Sequence, residues 1–358
     1  MRKKLFWGML LLAGGHILLP GCSKEELSET NRPTQETPEQ GENTETTQPD
    51  VPQTVHLTFR TGTTQTQSRA SVVEGSTNGG TNLLRWDAGD EVTIWTGNSI
   101  DDLTQCTFQT EEGGISSALF EYIGPAVDTK TYFGIHNATY YTSDKQIRFT
   151  IPTGNGNSPL CQTEKNSSLH LNKYRPMYTS VVQSEENLNE LTGLRFKHLS
   201  SLLVFNIIND SGRKVTVHSV TMKTDNGTPF YSEGVYLRFE GSSTRSPNTA
   251  ASRASTRSSY TMLKLGENGF TSDPDEAFTA YLSALPTSFS ASQNVLLELN
   301  VNGKATEALA IPGNSINALK AGTYYRFNLR IQPDGTLVVI PVVIGNWEEG
   351  EDILIPID

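Results

Sequence analysis

Chemically reactive side chains are scarce in this chain. Its 358 residues include 3 cysteines and 6 histidines, and the histidines are scattered. The sequence has no glycine-rich phosphate loop, no His-Glu-x-x-His pair, no Gly-x-Ser-x-Gly elbow and no close cysteine pair. Nucleotide, zinc and nucleophilic chemistry are recognised by such patterns. We therefore expect no catalytic residue, no metal site and no cofactor, and a protein that is not an enzyme.

Apolar residues are also few, and positive charge is in deficit. The hydrophobic fraction is 35%, which is low for a soluble domain. Residues 22–53 are mostly Glu, Thr, Pro, Gln and Asn, a composition that cannot bury enough surface to offset the entropy of ordering. The formal charge is -11, and the first 21 residues hold three cations and no acid, so the rest of the chain is near -14. The composition of residues 22–53 predicts a disordered tether. The negative charge repels phosphates, so we expect no nucleic-acid partner.

The first residues predict export. Arg2, Lys3 and Lys4 precede an apolar stretch that is too short to span a bilayer, and Leu19-Pro20-Gly21 leads directly to Cys22. We expect a lipoprotein signal peptide at 1–21 and Cys22 as the lipidated first residue of the mature chain, anchored by palmitate and related acyl chains. The following Lys24-Glu25-Glu26 resembles the signal that sends lipoproteins to the outer face of the outer membrane; solvated charges at the head of a tether are the alternative.

The folded part of the chain carries the alternating pattern of strands. Val55, Leu57 and Phe59 alternate with polar residues, whereas residues 202–208 are apolar on both faces, as in a central strand. Asn302-Gly303 and Pro333-Asp334-Gly335 are typical hairpin turns. Helical periodicity is scarce: residues 185–194 are the best short candidate, and a connection between two domains is the alternative. Residues 242–259, rich in Ser, Thr, Ala and Arg, predict a long exposed loop.

Many short strands separated by turns indicate an all-β protein of the β-sandwich class. The length favours two sandwiches in tandem, an N-terminal domain at 54–191 and a C-terminal domain at 192–358. Cys106 and Cys161 either form a disulfide or remain free thiols. His198 is interpreted as a structural histidine. Asp273, Asp275 and Glu276 are interpreted as a solvated turn, because their spacing differs from that of a calcium loop.

Three sequence segments, in this order, carry a family resemblance. They are Arg85-Trp86-Asp87-Ala88-Gly89-Asp90 before a strand, Phe196-Lys197-His198 before residues 201–205, and residues 319–325, Leu-Lys-Ala-Gly-Thr-Tyr-Tyr, before a long strand, with Trp347 after the last hairpin. Over nearly the whole mature chain this pattern resembles the fimbrillin-like lipoproteins of anaerobic Gram-negative bacteria, which build type V pili. The matching residues look like fold markers, and none is catalytic.

The resemblance implies two transthyretin-like β-sandwich domains and assembly by strand exchange. In that family an arginine-specific protease removes the first strand, and the C-terminal strand of another subunit fills the groove. Such β-augmentation satisfies unpaired backbone groups and an apolar slot together. On this chain the removable strand would be 55–60 and the cleavage site Arg69-Ala70, with Arg60 as runner-up. Ile353, Ile355 and Ile357 would be the knobs of the donor strand. The alternative is that both segments are ordinary first and last strands.

Three hypotheses follow from the sequence. The first is a surface-exposed outer-membrane lipoprotein that becomes a structural and adhesive subunit of a fimbrium, with other pilus subunits as strand-exchange partners and the outer membrane as a lipid-anchored one. The second is a monomeric lipoprotein that binds host or bacterial surface glycans or proteins, with sugar platforms among four aromatics: Trp95, Tyr140, Tyr141 and Tyr231. The third, an envelope hydrolase, rests only on the 39 acidic residues.

Overall fold

The structure is a computed structural model that describes residues 54–61, 71–73, 83–115, 117–155, 158–227, 230–233, 237–238, 256–346 and 352–355. These residues are almost entirely strands and turns, which confirms the all-β sandwich prediction. No helix in these ranges is long and apolar enough to cross a membrane. The predicted signal peptide with Cys22 and the predicted tether at 22–53 lie outside the described residues.

The strands run as follows in chain order. The first twelve are β1 (Thr54–Arg60), β2 (Ser71–Val73), β3 (Leu83–Arg85), β4 (Glu91–Ser99), β5 (Asp102–Gln109), β6 (Leu119–Pro125), β7 (Thr131–His136), β8 (Thr139–Tyr141), β9 (Gln146–Arg148), β10 (Leu160–Gln162), β11 (Met177–Tyr178) and β12 (Val182–Gln183). The next ten are β13 (Lys197–His198), β14 (Ser201–Asn209), β15 (Val215–Thr224), β16 (Phe230–Glu233), β17 (Leu237–Arg238), β18 (Thr256–Ser258), β19 (Tyr260–Leu265), β20 (Phe270–Ser272), β21 (Ala277–Ala284) and β22 (Thr287–Ser288). The last seven are β23 (Asn294–Val301), β24 (Lys304–Ala305), β25 (Leu309–Pro312), β26 (Ala318–Leu319), β27 (Thr323–Ile331), β28 (Leu337–Asn346) and β29 (Asp352–Ile355). A 3₁₀ turn at Leu169–Leu171 and a one-turn helix α1 at Gly313–Ile316 interrupt them.

Three larger sheets organise the strands. Sheet 1 has the order β1-β6-β5-β4-β7-β11-β13, with β12 also paired to β7. Sheet 2 has the order β10-β19-β15-β23-β24, with β20 and β25 as further partners, and sheet 3 has the order β21-β14-β27-β28-β29. Most neighbouring strands are antiparallel, as hairpin connections require. The exceptions among these three sheets are β14 with β27 and β10 with β19, which run parallel.

Two buried apolar clusters lie against these sheets. The larger cluster draws on sheets 2 and 3, where Phe270 of β20 meets Phe278 of β21 edge to face at 5.7 Å. The smaller cluster covers one face of sheet 1. All six residues of β7 are buried because the strand contributes to both: Tyr132 belongs to the smaller cluster, and Phe133 and Ile135 belong to the larger one. The described residues belong to one compact unit. The predicted domain boundary near Thr192 stays a prediction.

Local sequence signals explain the hairpins. Asn302 and Gly303 have φ values of 52° and 81°, the left-handed conformation that a primed two-residue turn needs at both positions, and they join β23 to β24. Gly335, with φ 86°, donates its backbone N–H to the Gln332 carbonyl at 2.9 Å in the turn between β27 and β28. Residues 202–208, which are apolar on both faces, lie in β14, a central strand between β21 and β27.

Two sequence predictions are corrected. The helix candidate at 185–194 is wrong, because this segment contains bends and one isolated bridge and no helix. Its backbone groups bond to β1 and to residues before and within β7. The loop predicted at 242–259 is wrong at its end, where Thr256–Ser258 forms β18 and pairs with β16. Residues 242–255 lie outside the described part of the chain.

Tyr325 provides a test of the packing that places β27. Its buried hydroxyl donates to the Ala318 carbonyl at 2.6 Å and accepts the Lys320 N–H at 2.9 Å, and burial raises its pKa to about 12. Tyr325→Phe leaves both backbone groups unsatisfied, so we expect a loss of about 1–3 kcal/mol in the free energy of unfolding, measured by urea denaturation.

The adjacent Tyr324 is the matched control. Its hydroxyl is buried and has no hydrogen-bond partner in the described part of the chain. Tyr324→Phe should therefore leave the unfolding free energy nearly unchanged or slightly higher. Equal losses in both variants would contradict the assigned role of the Tyr325 hydroxyl.

Candidate functional site

The first strand is an integral part of the smaller cluster. β1 pairs antiparallel with β6 over its whole length, from Thr54 opposite Pro125 to Arg60 opposite Leu119. Leu57 and Phe59 are buried, whereas His56 and Arg60 are exposed, so the alternation expected from the sequence holds. The Phe59 ring stacks on Phe120 at 5.1 Å and lies 5.4 Å from the Phe108 ring. Removal of β1 would uncover this aromatic slot together with the β6 backbone.

The outer edge of β1 is also bonded. The Thr58 N–H donates to the Asn189 carbonyl at 2.9 Å, and the Leu191 N–H donates to the Thr58 carbonyl at 2.7 Å. We call residues 187–192 the strap. Because the strap runs parallel to β1 at this bridge, the first strand has a hydrogen-bonded neighbour on each side, and the slot beneath it has two walls.

Side chains of the residues before and within β7 hold the strap. Thr129 Oγ1 donates to the Leu188 carbonyl at 3.0 Å and accepts the Leu188 N–H at 2.5 Å. The Tyr132 hydroxyl donates to the Thr192 carbonyl at 2.9 Å. Leu191 is buried in the smaller cluster, so the strap is fixed by packing as well as by hydrogen bonds.

The structure describes one of the two candidate cleavage sites. Arg60 lies within β1, and its guanidinium bonds Glu112 through Nη1 at 3.1 Å and Nη2 at 3.2 Å. Its backbone is part of the ladder with β6. Arg69 and Ala70 lie outside the described residues, between Thr61 and the start of β2 at Ser71.

The C-terminal isoleucines lie next to their own sheet. Ile353 and Ile355 are in β29, which pairs antiparallel with β28 so that Ile353 is opposite Ile344 and Ile355 is opposite Val342. This hairpin makes β29 the edge of sheet 3. Ile357 lies outside the described residues.

The sequence motifs at Trp86 and Phe196 meet in the smaller cluster. Trp86 is fully buried and meets the rings of Phe120, His136 and Phe196 edge to face, at 4.9, 5.3 and 5.8 Å. The turn after Trp86 closes when the Asp87 N–H donates to Asp90 Oδ2 at 2.8 Å and the Asp90 N–H donates to the Asp87 carbonyl at 3.0 Å. These residues anchor the core, as the sequence interpretation expected of fold markers.

A buried arginine lies close to these motifs. Arg175 has 0% exposure, its Nε donates to the Leu171 carbonyl at 3.3 Å, and Nη2 donates to Asn172. Burial lowers the pKa of Arg175 to about 10, while the charges of Asp90 and Asp87 act in the opposite direction. The sequence analysis missed Arg175. The two acids of the Trp86 motif were the available signal, because carboxylates near a core favour a cation beside them.

The buried histidines are neutral structural groups. His136 Nδ1 bonds the Glu91 carbonyl at 2.7 Å, and burial lowers the pKa of His136 to about 4. Burial, together with the charge of Arg175, holds the pKa of His198 well below its usual value. Both rings are therefore uncharged at neutral pH, in agreement with the structural interpretation of His198.

The remaining candidates are dispersed. Within the described ranges no three His, Cys, Asp or Glu residues are grouped as metal ligands. Asp273 pairs with Lys214 at 3.1 Å, and Glu276 pairs with Lys165 at 2.5 Å, as in a solvated turn. Cys106 and Cys161 are free thiols, and burial raises the pKa of Cys106.

Two of the four candidate sugar platforms pack against each other. Tyr140 is buried and packs against Trp95 edge to face at 5.1 Å. Tyr141 is 41% exposed, with the Arg148 guanidinium 4.1 Å from its ring centre. Nothing is described of the Tyr231 side chain.

The comparisons with known proteins identify the family. The family described as "Fimbrillin-like" matches residues 68–347, so the chain belongs to it and the resemblance expected from the sequence is confirmed. No curated protein matches the chain. Members of this family are structural adhesins and not enzymes. The chain is therefore a fimbrial component of the cell surface, a pilus or adhesin subunit. Its partners are other subunits.

Several solved structures are similar to this chain. A "putative cell adhesion protein" from Bacteroides ovatus has 14% identity and a TM-score of 0.48, over 73% of this chain and 88% of that one. The tip fimbrial protein Mfa3 from Porphyromonas gingivalis has 10% identity and a TM-score of 0.41, over 82% and 100%. A fimbrial protein from Bacteroides vulgatus has 13% identity and a TM-score of 0.40, over 73% and 93%.

The buried histidines predict loss of stability in acid. Burial lowers the pKa of His136 from its ordinary value of 6.5 to about 4. Between these values the unfolded chain binds more protons, so the free energy of unfolding falls as the pH is lowered. The full effect is about 3 kcal/mol for this residue. His136→Gln should flatten the dependence between pH 6.5 and 4, measured by urea denaturation at each pH. An unchanged slope would contradict the assignment.

Proposed function

We propose that this chain is a pilus subunit that is exported as a lipoprotein and assembled by protease-triggered strand exchange. Cys22 carries the lipid that holds the precursor at the outer face of the outer membrane. Cleavage between Arg69 and Ala70 then separates the first strand and the lipid together from the rest of the chain. The C-terminal segment with Ile353, Ile355 and Ile357 supplies the replacing strand in another copy.

The observation that carries this proposal is the position of β1. It is the first described strand and the first strand in the order of sheet 1. Its buried side chains, Leu57 and Phe59, fill the aromatic slot. A slot bounded by β6 on one side and by the strap on the other offers backbone donors and acceptors along two walls. An extended segment with alternating apolar residues can satisfy such a slot, which is the physical basis of β-augmentation.

We favour Arg69 over Arg60 as the cleavage site. A protease needs an extended, unpaired stretch of chain in its cleft, and exposed connections are the usual sites of nicking. Arg60 is part of the β1–β6 ladder and is held by Glu112, so its cleavage requires the first strand to be displaced beforehand. Arg69 lies in a polar stretch of sequence between two strands.

Cleavage and assembly can be tested together on the purified precursor. Treatment with an arginine-specific protease should give a new N-terminus at Ala70 and stable multimers in size-exclusion chromatography. The Arg69→Gln variant should give no N-terminus at Ala70 and should stay monomeric, whereas Arg60→Gln should behave as the wild type. Wild-type protein that is cut at Arg69 and stays monomeric would disprove strand exchange and favour the monomeric surface lipoprotein.

The strap should control how long the cut first strand is retained. Thr129→Val removes both Thr129 Oγ1 hydrogen bonds to Leu188 and retains the shape of the side chain. After cleavage at Arg69, the N-terminal fragment should dissociate roughly tenfold faster than in the wild type, since each lost hydrogen bond weakens the strap. Fragment release is measured by chromatography and mass spectrometry.

Thr131→Val is the control for this experiment. Thr131 is also buried and lies two residues away, but its hydroxyl donates to the Asn98 carbonyl at 3.3 Å and not to the strap. We expect wild-type release for this variant. If both variants release the fragment at one rate, the strap does not retain β1.

A further inference from the structure

Side chains form hydrogen bonds with the outer edge of β21, where a neighbouring strand would otherwise pair. β21 is the end strand of sheet 3, opposite β29, and pairs with β14 on its inner side. Thr279 and Tyr281 direct their backbone groups outward, and all four of these groups have partners. The partners come from residues 160–170, which we call the edge guard.

The hydrogen bonds repeat the pattern of a neighbouring strand. The Asn166 N–H donates to the Thr279 carbonyl at 3.1 Å, and Asn166 Oδ1 accepts the Thr279 N–H at 2.7 Å. Gln162 Oε1 accepts the Tyr281 N–H at 2.9 Å, and Gln162 Nε2 donates to the Thr279 carbonyl at 3.0 Å. His170 Nε2 donates to the Tyr281 carbonyl at 2.8 Å. A side-chain amide carries one acceptor and two donors and can replace a peptide group in this way.

The edge guard also ties the two sheets of the larger cluster together. Gln162 belongs to β10, whose backbone pairs in parallel with β19 of sheet 2, while its fully buried amide bonds β21 of sheet 3. Lys165 forms an ion pair with Glu276 beside the start of β21. Charges, especially lysines, and covering loops at a sheet edge are the known means of preventing edge-to-edge pairing.

We propose that residues 160–170 prevent a second copy of this chain from pairing with β21. The juxtaposition that carries this proposal is that of Gln162, Asn166 and His170 with the outward backbone groups of Thr279 and Tyr281. The proposal does not rest on the proposed function.

Amide hydrogen exchange tests the guard on the intact protein. Asn166→Gly removes the side chain and tolerates the left-handed backbone at this position, where φ is 62°. The Thr279 amide should then exchange on the order of tenfold faster, while the Ala280 amide, which lies opposite Phe205 of β14, should keep its rate. Thr163→Ala, at an exposed position of the same segment, should change neither rate.

The triple variant Gln162→Leu, Asn166→Gly and His170→Phe tests the consequence. It should form larger species than the wild type in light scattering, increasingly with concentration, and the Thr279 and Tyr281 amides should regain protection as these species form. A folded triple variant that stays the size of the wild type with both amides unprotected would overturn the proposal. An unchanged Thr279 rate in Asn166→Gly would also overturn it, and this single variant decides the matter if the triple variant does not fold.

These measurements use uncut protein and are independent of cleavage at Arg69. Failure of the cut wild type to polymerise would contradict the proposed function and leave the guard intact. Failure of the triple variant to associate would contradict the guard and leave strand exchange untouched.

Discussion

The pairing of backbone groups at strand edges is the constraint on which the rest of this structure depends. An open edge exposes N–H and C=O groups that would recruit any available strand. At β1 the strap bonds Thr58 on the side away from β6. At β21 the amides of Gln162 and Asn166 take the place of a strand. Both edges are covered by segments that contain little regular structure. These irregular segments therefore decide which strand edges are available for pairing.

The first strand is part of the hydrophobic core. Phe59 is in ring contact with Phe108, Phe120 and Phe196, so the slot under β1 is a piece of hydrophobic core and not a surface groove. A core with a missing strand is unstable, since buried aromatics then face water and the β6 backbone loses its partners. In the proposed strand exchange, a strand from another subunit would restore both interactions, so the stability of a cut subunit would depend on its neighbour.

Sequence patterns predicted the strands and turns well where the physics is local. The Asn302-Gly303 turn depends only on positive φ at two adjacent positions. The alternation of Val55, Leu57 and Phe59 with polar residues is also a local pattern that does not depend on distant residues. Pairing between distant segments was not predictable: β14 and β27 run parallel although their residues are separated by more than a hundred positions. The strap was mistaken for a helix, because its apolar spacing serves burial against sheet 1 while its backbone bonds to Thr58, Thr129 and Tyr132.

The sequence by itself determined the all-β class, the turn positions, the fimbrillin-like family and the absence of recognisable catalytic patterns, because each depends on residue type and short-range spacing. The tertiary structure alone decided that Trp86, His136 and Phe196 share one buried cluster beside Arg175. It also decided that Gln162 closes the edge of β21, more than a hundred residues away. Partners so far apart leave no period in the sequence, since only the folded backbone brings a donor within hydrogen-bonding distance of its acceptor.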